Sequence, residues 1–483
     1  FTGPAPPAGG AGVAVRALSA TVPSAATEEL WNVLLGGGET QTEVALDRWD
    51  VAVYYAVEAS AAGKTNAKHG AFLSNQELST LDPQVFHLTL DEAGALVPEQ
   101  RLVLRLGTSC LLEEGLQLEE LQNCPVDTYL GDCSSESRSY ASHLTAFHHR
   151  GAATAVTAHR LAYALGLRGE SCAFDTACSS SLVALSHGHA RLRLRPQMTS
   201  SGDFTAALVM GVRVMLGPDG FVGLGAGGFL GLHGRCLTFD SSANGFGRGE
   251  GCGAVLLGPP GEEVEMAALL GSAVNQDGRS ASMTAPNGPS QQRCIRSSLQ
   301  MAQLGDGASL SIMECHGTGT SLGDPIEIGA IKGVVSQGGM PLLTSSKTNI
   351  GHGEAAAGLN GFIKCVLMLA HSMCPANVHL RVLNGNLDTN GSNSQHLGVS
   401  SFGFGGTNAR ADLWGHCQVG PRQLRARLVV VPCPRCGQGM CRACGEVADD
   451  FALDFHRCDA NARSFARECL ACVSSDSDSG SEV

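Results

Sequence analysis

Runs of apolar residues alternate with helical patterns along most of this chain, with turn residues between them. One run, Ala206–Leu216, is bounded by Gly217-Pro218 and predicts a buried strand. Another, Ala355–His371, is apolar nearly all round and predicts a buried helix. The alternation continues from residue 13 to about residue 414 without a low-complexity break. It therefore predicts one large α/β body.

The pattern changes at both ends of the chain. Residues 1–12 are rich in proline, glycine and alanine and predict a linker. Residues 415–432 predict a connector, and residues 433–472 are rich in cysteine. Residues 473–483 form an acidic serine tail that we expect to be disordered.

Composition narrows the classes of function. The 62 glycines and the aromatic content of 5% are typical of layered α/β enzymes with many close backbone approaches. The net charge is −13 and Lys and Arg form no cluster of five or more, so a nucleic-acid surface is not expected. No apolar run approaches the roughly 18 residues of a membrane span. Single cysteines in apolar segments and the lack of a signal-peptide pattern predict an intracellular location, cytoplasmic or plastid.

Cys178 is the candidate nucleophile. An apolar stretch ends at Asp175-Thr176-Ala177, and a helical pattern follows the cysteine. The N-terminus of a helix is the positive end of its dipole, and its free N–H groups favour a thiolate. A lowered pKa is therefore expected at Cys178. The local pattern alone fits a buried structural thiol equally well.

Two glycine-rich segments lie downstream of this cysteine. Residues 314–327 read ECHGTGTSLGDPIE and contain His316. Residues 345–358 read SSKTNIGHGEAAAG and contain Lys347, five residues before His352. Either histidine alone could be a structural residue. Two histidines in glycine-rich loops, together with an activatable cysteine, favour a catalytic set.

DTACSSSLVAL and the two histidine loops resemble the active-site motifs of type I polyketide synthase ketosynthases, which are β-ketoacyl synthases of the thiolase-like superfamily. The resemblance covers roughly residues 13–410 and includes the stretches 234–257 and 274–292. It implies a thiolase-like layered αβαβα fold with two pseudo-symmetric halves, at residues 13–250 and 251–414. The small cysteine-rich extension would follow them.

The resemblance also implies a reaction and the residues that perform it. Cys178 would carry the acyl group, and a malonyl-type thioester would lose CO2 and condense with it. His316 and His352 would stabilise the enolate, and Lys347 would orient and tune them. This decarboxylative Claisen condensation needs no cofactor in catalysis.

Further assignments concern the substrate and the partners. The backbone N–H groups of Cys178 and Phe404 would form the oxyanion hole, and Thr318 and Thr320 would hydrogen-bond the phosphopantetheine arm of an acyl carrier protein. The residues after Trp414 are too few for an acyltransferase domain and contain no Asp-Ser-Leu carrier motif. We therefore expect acyl units to arrive on a carrier protein supplied in trans, or on neighbouring domains that are absent from this sequence. The family forms homodimers through the half that bears the nucleophile.

Two alternatives remain at this point. One is a fatty-acid β-ketoacyl synthase of the same mechanism, and the other is a non-catalytic scaffold subunit of the same fold. The chain also departs from the family pattern, which usually has Asp at the position of Val97 and His at that of Arg410. Gly223–Gly228 reads GLGAGG, a match to the dinucleotide fingerprint, but no strand precedes it. We interpret it as a loop near the entrance of the site.

The cysteine-rich segment predicts a structural zinc site. CxxC pairs present two thiolates to one tetrahedral zinc ion, and a segment of about 40 residues would need metal to fold. The alternative is a set of free thiols in a partly disordered extension. The eight candidate ligands are Cys433, Cys436, Cys441, Cys444, His456, Cys458, Cys469 and Cys472.

Overall fold

The structure is a computed structural model. It describes residues 12–58, 61–133, 136, 153–194, 205–260, 266–305, 310–335, 340–385, 387 and 396–414, and three short strands after them. Two compact units are distinguished. The larger contains the described residues up to 414 other than His371–Pro375, which belong to the smaller unit.

The larger unit is built from alternating strands and helices. Its strands are β1 (Val13–Val22), β2 (Ala25–Ala26), β3 (Gln41–Glu43), β4 (His69–Ala71), β5 (Val126–Asp132), β6 (Ser171–Phe174), β7 (Ala206–Arg213), β8 (Gly251–Gly258), β9 (Ala267–Gln276), β10 (Leu310–Glu314), β11 (Leu342–Thr344), β12 (His396–Phe402) and β13 (Thr407–Trp414). Its helices are α1 (Thr27–Leu35), α2 (Val51–Tyr54), α3 (Asn75–Ser79), α4 (Leu90–Gly94), α5 (Pro98–Glu113), α6 (Thr154–Leu165), α7 (Ser180–Leu194), α8 (Asp219–Ala226), α9 (Gly288–Met301), α10 (Gly323–Lys332), α11 (Lys347–Ile350) and α12 (Ala357–His371), with 3-10 turns η1 (Ala177–Ser179) and η2 (Glu354–Ala356).

The strand order shows two repeated halves. The sheet path is β11-β10-β12-β13-β9-β1-β8-β7-β5-β6. In the first half, β5 is parallel to β6 and β7, and β8 is antiparallel to β7 and β1. In the second half, β10 is parallel to β11 and β12, and β13 is antiparallel to β12 and β9. Each half thus has the same order and directions, and a short antiparallel pairing of β1 with β9 joins them. The predicted pseudo-symmetry is confirmed.

The layers follow from where the helices pack. Helix α5 packs on β8, β1 and β7, and α9 packs on β9 and β13. Helix α7 contacts β5 and β7 of the first half and also β13 and β9 of the second. It therefore lies between the two halves, and the predicted layered α/β fold is confirmed.

Two sequence predictions of buried elements are confirmed and one local prediction is wrong. Every residue of β7 is buried, and α12 is buried from Ala357 to Leu369. The GLGAGG segment is mostly helical, because α8 runs through Ala226 rather than leaving a loop. Packing overrides the low helix propensity of its glycines, since Phe221 and Leu224 join an apolar cluster with Trp49.

The smaller unit contains three strands, β14 (Val430–Pro432), β15 (Gly439–Cys441) and β16 (Val447–Ala448). They form an antiparallel sheet in that order. Strand β14 occupies the last three residues of the predicted connector. Residues 1–11 of the predicted linker (1–12) and the predicted acidic tail at residues 473–483 lie outside the described residues. Within the described part of the chain, none of the helices is both long and apolar enough to cross a membrane.

Candidate active site

Cys178 lies at the turn between β6 and α7, as predicted. The turn is tight, since Ala177 has a φ of 54°, a left-handed conformation that costs a non-glycine residue about 1–2 kcal/mol. Serine hydroxyls hold it in place. Ser180 Oγ accepts a hydrogen bond from Thr176 N at 2.9 Å and donates one to Ala177 O at 2.6 Å. The serines that follow the cysteine therefore fix the turn that presents the thiol.

The loop between β12 and β13 approaches Cys178 closely. Ser401 Oγ donates a hydrogen bond to Cys178 O at 2.7 Å, and a Cβ at Gly403 would overlap the carbonyl oxygen of Thr176. The backbone N–H groups of Phe404 and of Cys178 itself are placed to donate to the Cys178 sulfur. The two predicted oxyanion-hole donors thus lie together at the thiol.

The expectation of a lowered thiol pKa is wrong. Burial, followed by the negative charge of Glu354, raises the pKa of Cys178 to about 12. Lys347 and the backbone N–H groups lower this pKa, but by less than burial and Glu354 raise it. The resting group is therefore a neutral thiol at pH 7.

We expect alkylation of Cys178 by iodoacetamide to rise about tenfold per pH unit between pH 7 and pH 10, because only the thiolate reacts and the pKa lies above this range. The rate is measured by peptide mass spectrometry on the Cys178 peptide, with the Cys178→Ala variant as the blank. A plateau below pH 9 would contradict the raised pKa.

His316 follows β10 and is held through both its backbone and its ring. Glu327 accepts hydrogen bonds from His316 N at 2.7 Å and from Gly317 N at 2.8 Å. The ring Nδ1 accepts a bond from Phe402 N at 3.4 Å. Because Nδ1 is an acceptor, the ring proton of the neutral imidazole is on Nε2. Burial, followed by the positive charge of Lys347, lowers the pKa of His316 far below its usual range.

His352 adopts the same tautomer. Its Nδ1 accepts a hydrogen bond from Glu354 N at 3.2 Å, which leaves the proton on Nε2. That Nε2 is buried and has no hydrogen-bond partner among the described residues. Burial, followed by Lys347, lowers the pKa of His352 to about 3. The ring centroids of His316 and His352 are 5.5 Å apart and the two rings are nearly perpendicular, at 86°.

A pocket of about 290 Å³ connects these groups, and we call it the entry pocket. Cys178, His316, His352, Thr318 and Thr320 all line it. The hydroxyl groups of the two threonines are 3.2 Å apart. Every predicted substrate-contacting side chain therefore lines one cavity.

Lys347 lies beside the entry pocket in α11 and is buried. Its positive charge lowers the pKa values of Cys178, His316 and His352. Lys347 is therefore placed to act on all three groups through its charge, and its role in catalysis stays a prediction.

Sequence reasoning missed a cluster of four charged residues next to Cys178, which we call the charge cluster: Glu136, Arg213, Arg248 and Glu354. Glu354 Oε1 lies 2.7 Å from Arg248 Nε, and its Oε2 lies 3.1 Å from Arg213 Nε. Glu136 pairs with Arg213 and lies 3.0 Å from Arg248 Nη2. The sequence offered two signals, the closeness of Glu354 to His352 within its motif and the charged Arg213 in an otherwise apolar strand.

The charge cluster keeps Glu354 ionised. Burial alone would raise the pKa of this carboxyl, but Arg213 and Arg248 lower it to about 2. Arg248 also positions His352 through its backbone neighbours, because His352 N donates to Gly247 O at 2.7 Å. Glu354 thus acts on the Cys178 thiol through its charge, and its backbone N–H contacts the His352 ring.

The two departures from the family pattern have structural consequences outside the entry pocket. Val97 is the N-cap residue of α5 and supplies no side-chain cap, although Pro98 follows at the first helical position. Arg410 is fully buried on β13, where it pairs with Asp412 and donates to Ser400 Oγ at 3.2 Å. Neither residue replaces a group of the site.

The zinc prediction falls on side chains that lie outside the described residues. Of the eight candidate ligands, only Cys441 belongs to a described strand, and there the backbone alone is described. Among the side chains that are described, no group of three or more His, Cys, Asp or Glu could hold a metal ion.

Two protein-family models match this chain. The β-ketoacyl synthase N-terminal domain matches residues 11–260, and the β-ketoacyl synthase C-terminal domain matches residues 266–381. The chain belongs to the β-ketoacyl synthase family. It is thus a condensing enzyme by family, with the thiolase-like ketosynthase fold.

Curated relatives of this ketosynthase are polyketide synthases. One component of the phenolphthiocerol/phthiocerol polyketide synthase of Mycobacterium tuberculosis is 36% identical over 408 residues, which are 79% of this chain and 26% of the relative. Mycoketide-CoA synthase of the same species is 37% identical over 409 residues, 79% of this chain and 10% of the relative. The ketosynthase thus spans a minor part of the length of these proteins.

Solved structures of ketosynthases are also similar to this chain. The ketosynthase from module 6 of the bacillaene synthase of Bacillus subtilis has a TM-score of 0.75 and 29% identity, covering 84% of this chain and 72% of that one. An oxazolomycin ketosynthase domain of Streptomyces albus has a TM-score of 0.76 and 29% identity, covering 86% and 76%. Both are polyketide synthase ketosynthases, as the resemblance implied.

Proposed function

We propose that this ketosynthase joins an acyl group held on Cys178 to a malonyl-type unit by decarboxylative Claisen condensation. One observation carries the proposal: two neutral imidazoles with protons on Nε2 line the same pocket as the thiol. Polyketide synthase relatives favour a polyketide pathway over fatty-acid synthesis. Retention of the cysteine, both histidines and the lysine argues against a scaffold subunit.

The first step is transfer of the acyl group. The Cys178 sulfur attacks the thioester carbon of the acyl carrier, the new S–C bond forms, and the bond to the carrier sulfur breaks. The proton lost by the Cys178 thiol is the one that the departing carrier thiol gains, so the step needs no net acid or base. Negative charge on the tetrahedral oxygen is stabilised by the N–H groups of Cys178 and Phe404.

The second step makes the carbon–carbon bond. The malonyl-type thioester loses CO2, and the electron pair of the broken bond forms an enolate. The Nε2–H groups of His316 and His352 donate to the enolate oxygen, and burial, assisted by the charge of Lys347, keeps both imidazoles neutral. The enolate carbon attacks the acyl-Cys178 carbonyl. The Cys178 thiolate then leaves and takes up a proton from solvent, which balances the charge lost with the malonyl carboxylate.

The direct test is intact-mass spectrometry of purified protein with an acyl-carrier thioester, followed by malonyl-carrier. We expect an acyl adduct and then a β-ketoacyl product, and neither with Cys178→Ala. The absence of any adduct across several acyl donors, in folded wild-type protein, would favour the scaffold role instead.

The partners follow from this chemistry. We propose that an acyl carrier protein acting in trans delivers its phosphopantetheine arm to the entry pocket, where Thr318 and Thr320 hydrogen-bond it. We also propose a homodimer through the half that bears Cys178. Strand β6 of that half ends the sheet path, and an edge strand offers free backbone groups for pairing with a second copy. A monomer by sedimentation equilibrium would contradict the dimer.

The remaining proposals concern the organisation of the chain. We assign residues 13–250 and 251–414 to the two halves, joined through residues 415–432 to the cysteine-rich segment at 433–472. We also propose that this segment holds structural zinc and that the protein is intracellular. A metal content near zero in protein purified without chelators would contradict the zinc assignment.

A further inference from the structure

Two polar side chains that the proposed reaction does not use, Asp277 and Gln291, also line the entry pocket. Asp277 directly follows β9, and Gln291 lies in the first turn of α9. Hydrogen bonds join these two segments, since Asp277 O accepts from Asn287 Nδ2 at 3.1 Å and from Ser290 Oγ at 3.4 Å. The fold therefore fixes the positions of Asp277 and Gln291 relative to each other.

Both side chains can accept a further hydrogen bond. Gln291 is 1% exposed, and its Oε1 is buried without a hydrogen-bond partner in the part of the chain that the structure describes. A buried acceptor that lacks a donor costs free energy. Asp277 is 8% exposed, its Oδ1 accepts from Asn408 Nδ2 at 2.6 Å, and the Asn287 N–H also bonds the carboxylate. Because a carboxylate accepts about four hydrogen bonds, it keeps capacity for a donor from the pocket.

The charges of the entry pocket indicate which part of the arm it can hold. Of the described residues that line it, none is a lysine or an arginine. A phosphate group is bound in proteins mainly through these cations and through N–H donors, so the phosphate end of the arm is expected outside the pocket. The pantetheine part is uncharged and carries two amide groups. Each amide N–H is a donor that needs an acceptor once the arm leaves water.

We propose that Asp277 and Gln291 are specificity-determining residues, and that each accepts a hydrogen bond from one of the two amide N–H groups of the pantetheine arm. The inference rests on the proposed function, in which the arm enters this pocket beside Thr318 and Thr320. The threonine hydroxyls can donate to the amide carbonyl groups, whereas the oxygens of Asp277 and Gln291 accept from the N–H groups. The arm is thus recognised through both polar atoms of its amides.

The size of each contribution follows from the kind of hydrogen bond. A bond from an amide N–H to the neutral oxygen of Gln291 favours the arm by about threefold to tenfold over an arm that lacks this N–H. A bond to the Asp277 carboxylate favours it by about tenfold or more. Loss of either N–H should therefore slow transfer of the acyl group to Cys178 by a measurable factor.

The experiment compares three donors that differ by single atoms of the arm. One is the butanoyl thioester of pantetheine, and in each of the other two an ester oxygen replaces the N–H of one amide. Both analogues keep the length and the hydroxyl groups of the arm. Acylation of Cys178 is followed by intact-mass spectrometry, and the result is the ratio of the rate with pantetheine to the rate with each analogue. A general loss of stability does not alter a ratio measured on the same protein.

Asp277→Asn and Gln291→Met test the two acceptors. Asparagine keeps an oxygen for Asn408 and replaces the other with an amino group, and methionine resembles glutamine in length but has no acceptor oxygen. Gln292→Met is the matched control, because Gln292 lies next on α9, does not line the entry pocket and lies against Gly333. We expect wild type and the control to prefer pantetheine over both analogues. Asp277→Asn and Gln291→Met should each lose the preference over one analogue, and over a different one.

Failure of this inference can be told apart from failure of the proposed function. Equal acylation of wild type by all three donors would overturn recognition of the amide N–H groups and leave the condensing role intact. Unchanged ratios in Asp277→Asn or in Gln291→Met would overturn the role of that residue. Loss of the preference in Gln292→Met as well would overturn the assignment to Gln291. No adduct from any donor on folded wild type would overturn the condensing role itself, and this inference with it.

Discussion

Replacing His352 with alanine is expected to slow condensation by about 10²–10³ while acylation of Cys178 continues, because one of the two donors to the enolate oxygen is lost. The His352 Nε2–H has no partner among the described residues, so its hydrogen bond forms only when substrate is present. An interaction made only as the enolate develops lowers the rate of that step and not of the preceding one.

The two steps are measured separately. The acyl-enzyme is first formed and quantified by intact mass, and its consumption is then followed after malonyl-carrier is added. His187→Ala is the matched control, because His187 lies on α7 and pairs with Glu170 outside the entry pocket. A parallel loss of acylation and condensation in His352→Ala would mean that this imidazole acts in acyl transfer.

The lowered pKa values of His316 and His352 also predict how the rate of condensation depends on pH. The pKa of His352 is lowered to about 3, and that of His316 lies far below its usual range. Both imidazoles therefore stay neutral as the pH falls from 8 to 6. Consumption of preformed acyl-enzyme should not decrease across this interval through protonation of either histidine, whereas an unperturbed histidine, with a pKa near 6.5, would become charged.

The sequence predicted the positions of the reacting groups well, because each lies in a short local motif. A strand, a tight turn and a helix around Cys178 were predicted and are present. The direction of the pKa shift at Cys178 was not predicted. The dipole argument used only neighbours along the chain, whereas the burial and the Glu354 charge that raise the pKa come from the folded environment.

The charge cluster was beyond sequence reasoning for the same reason. Glu136 and Arg248 lie 112 positions apart in the chain and carry no common motif. A charged residue in an otherwise apolar strand, such as Arg213 in β7, is a signal that a partner exists, but the pattern does not say which one. The strand order that unites these residues depends on the pairing of distant segments.

Helix α12 was predicted from the sequence, but the partner of the charged residue inside it was not. Its apolar pattern predicted a buried helix, and the structure confirms it. The pattern also contains Lys364, whose side chain is 1% exposed and whose partner is the equally buried Glu314, 2.9 Å away. Lys364 Nζ also donates to Thr344 Oγ1 at 2.6 Å, and Glu314 Oε1 accepts from Ser346 N at 2.6 Å. The pair therefore links α12 to the strand ends that precede Lys347.

Replacing Lys364 with methionine is expected to lower the free energy of unfolding by about 3–5 kcal/mol, because Glu314 is left as an uncompensated buried charge. The double variant Lys364→Met with Glu314→Gln should recover most of this loss. Glutamine is neutral, and its oxygen can still accept from Ser346 N. The measurement is urea unfolding followed by circular dichroism on wild type, both single variants and the double variant.

Comparison of these four proteins separates the effect of the Lys364–Glu314 ion pair on stability from the effect of side-chain packing. If the double variant were as unstable as Lys364→Met alone, the lost free energy of unfolding would come from the packing of the methionine rather than from the unpaired Glu314 carboxylate. Recovery of stability together with slow condensation would assign the pair a second role. In that case the charged pair holds the segment that begins at Ser346, and through it Lys347, in the position from which its charge adds to burial in lowering the pKa values of the two imidazoles.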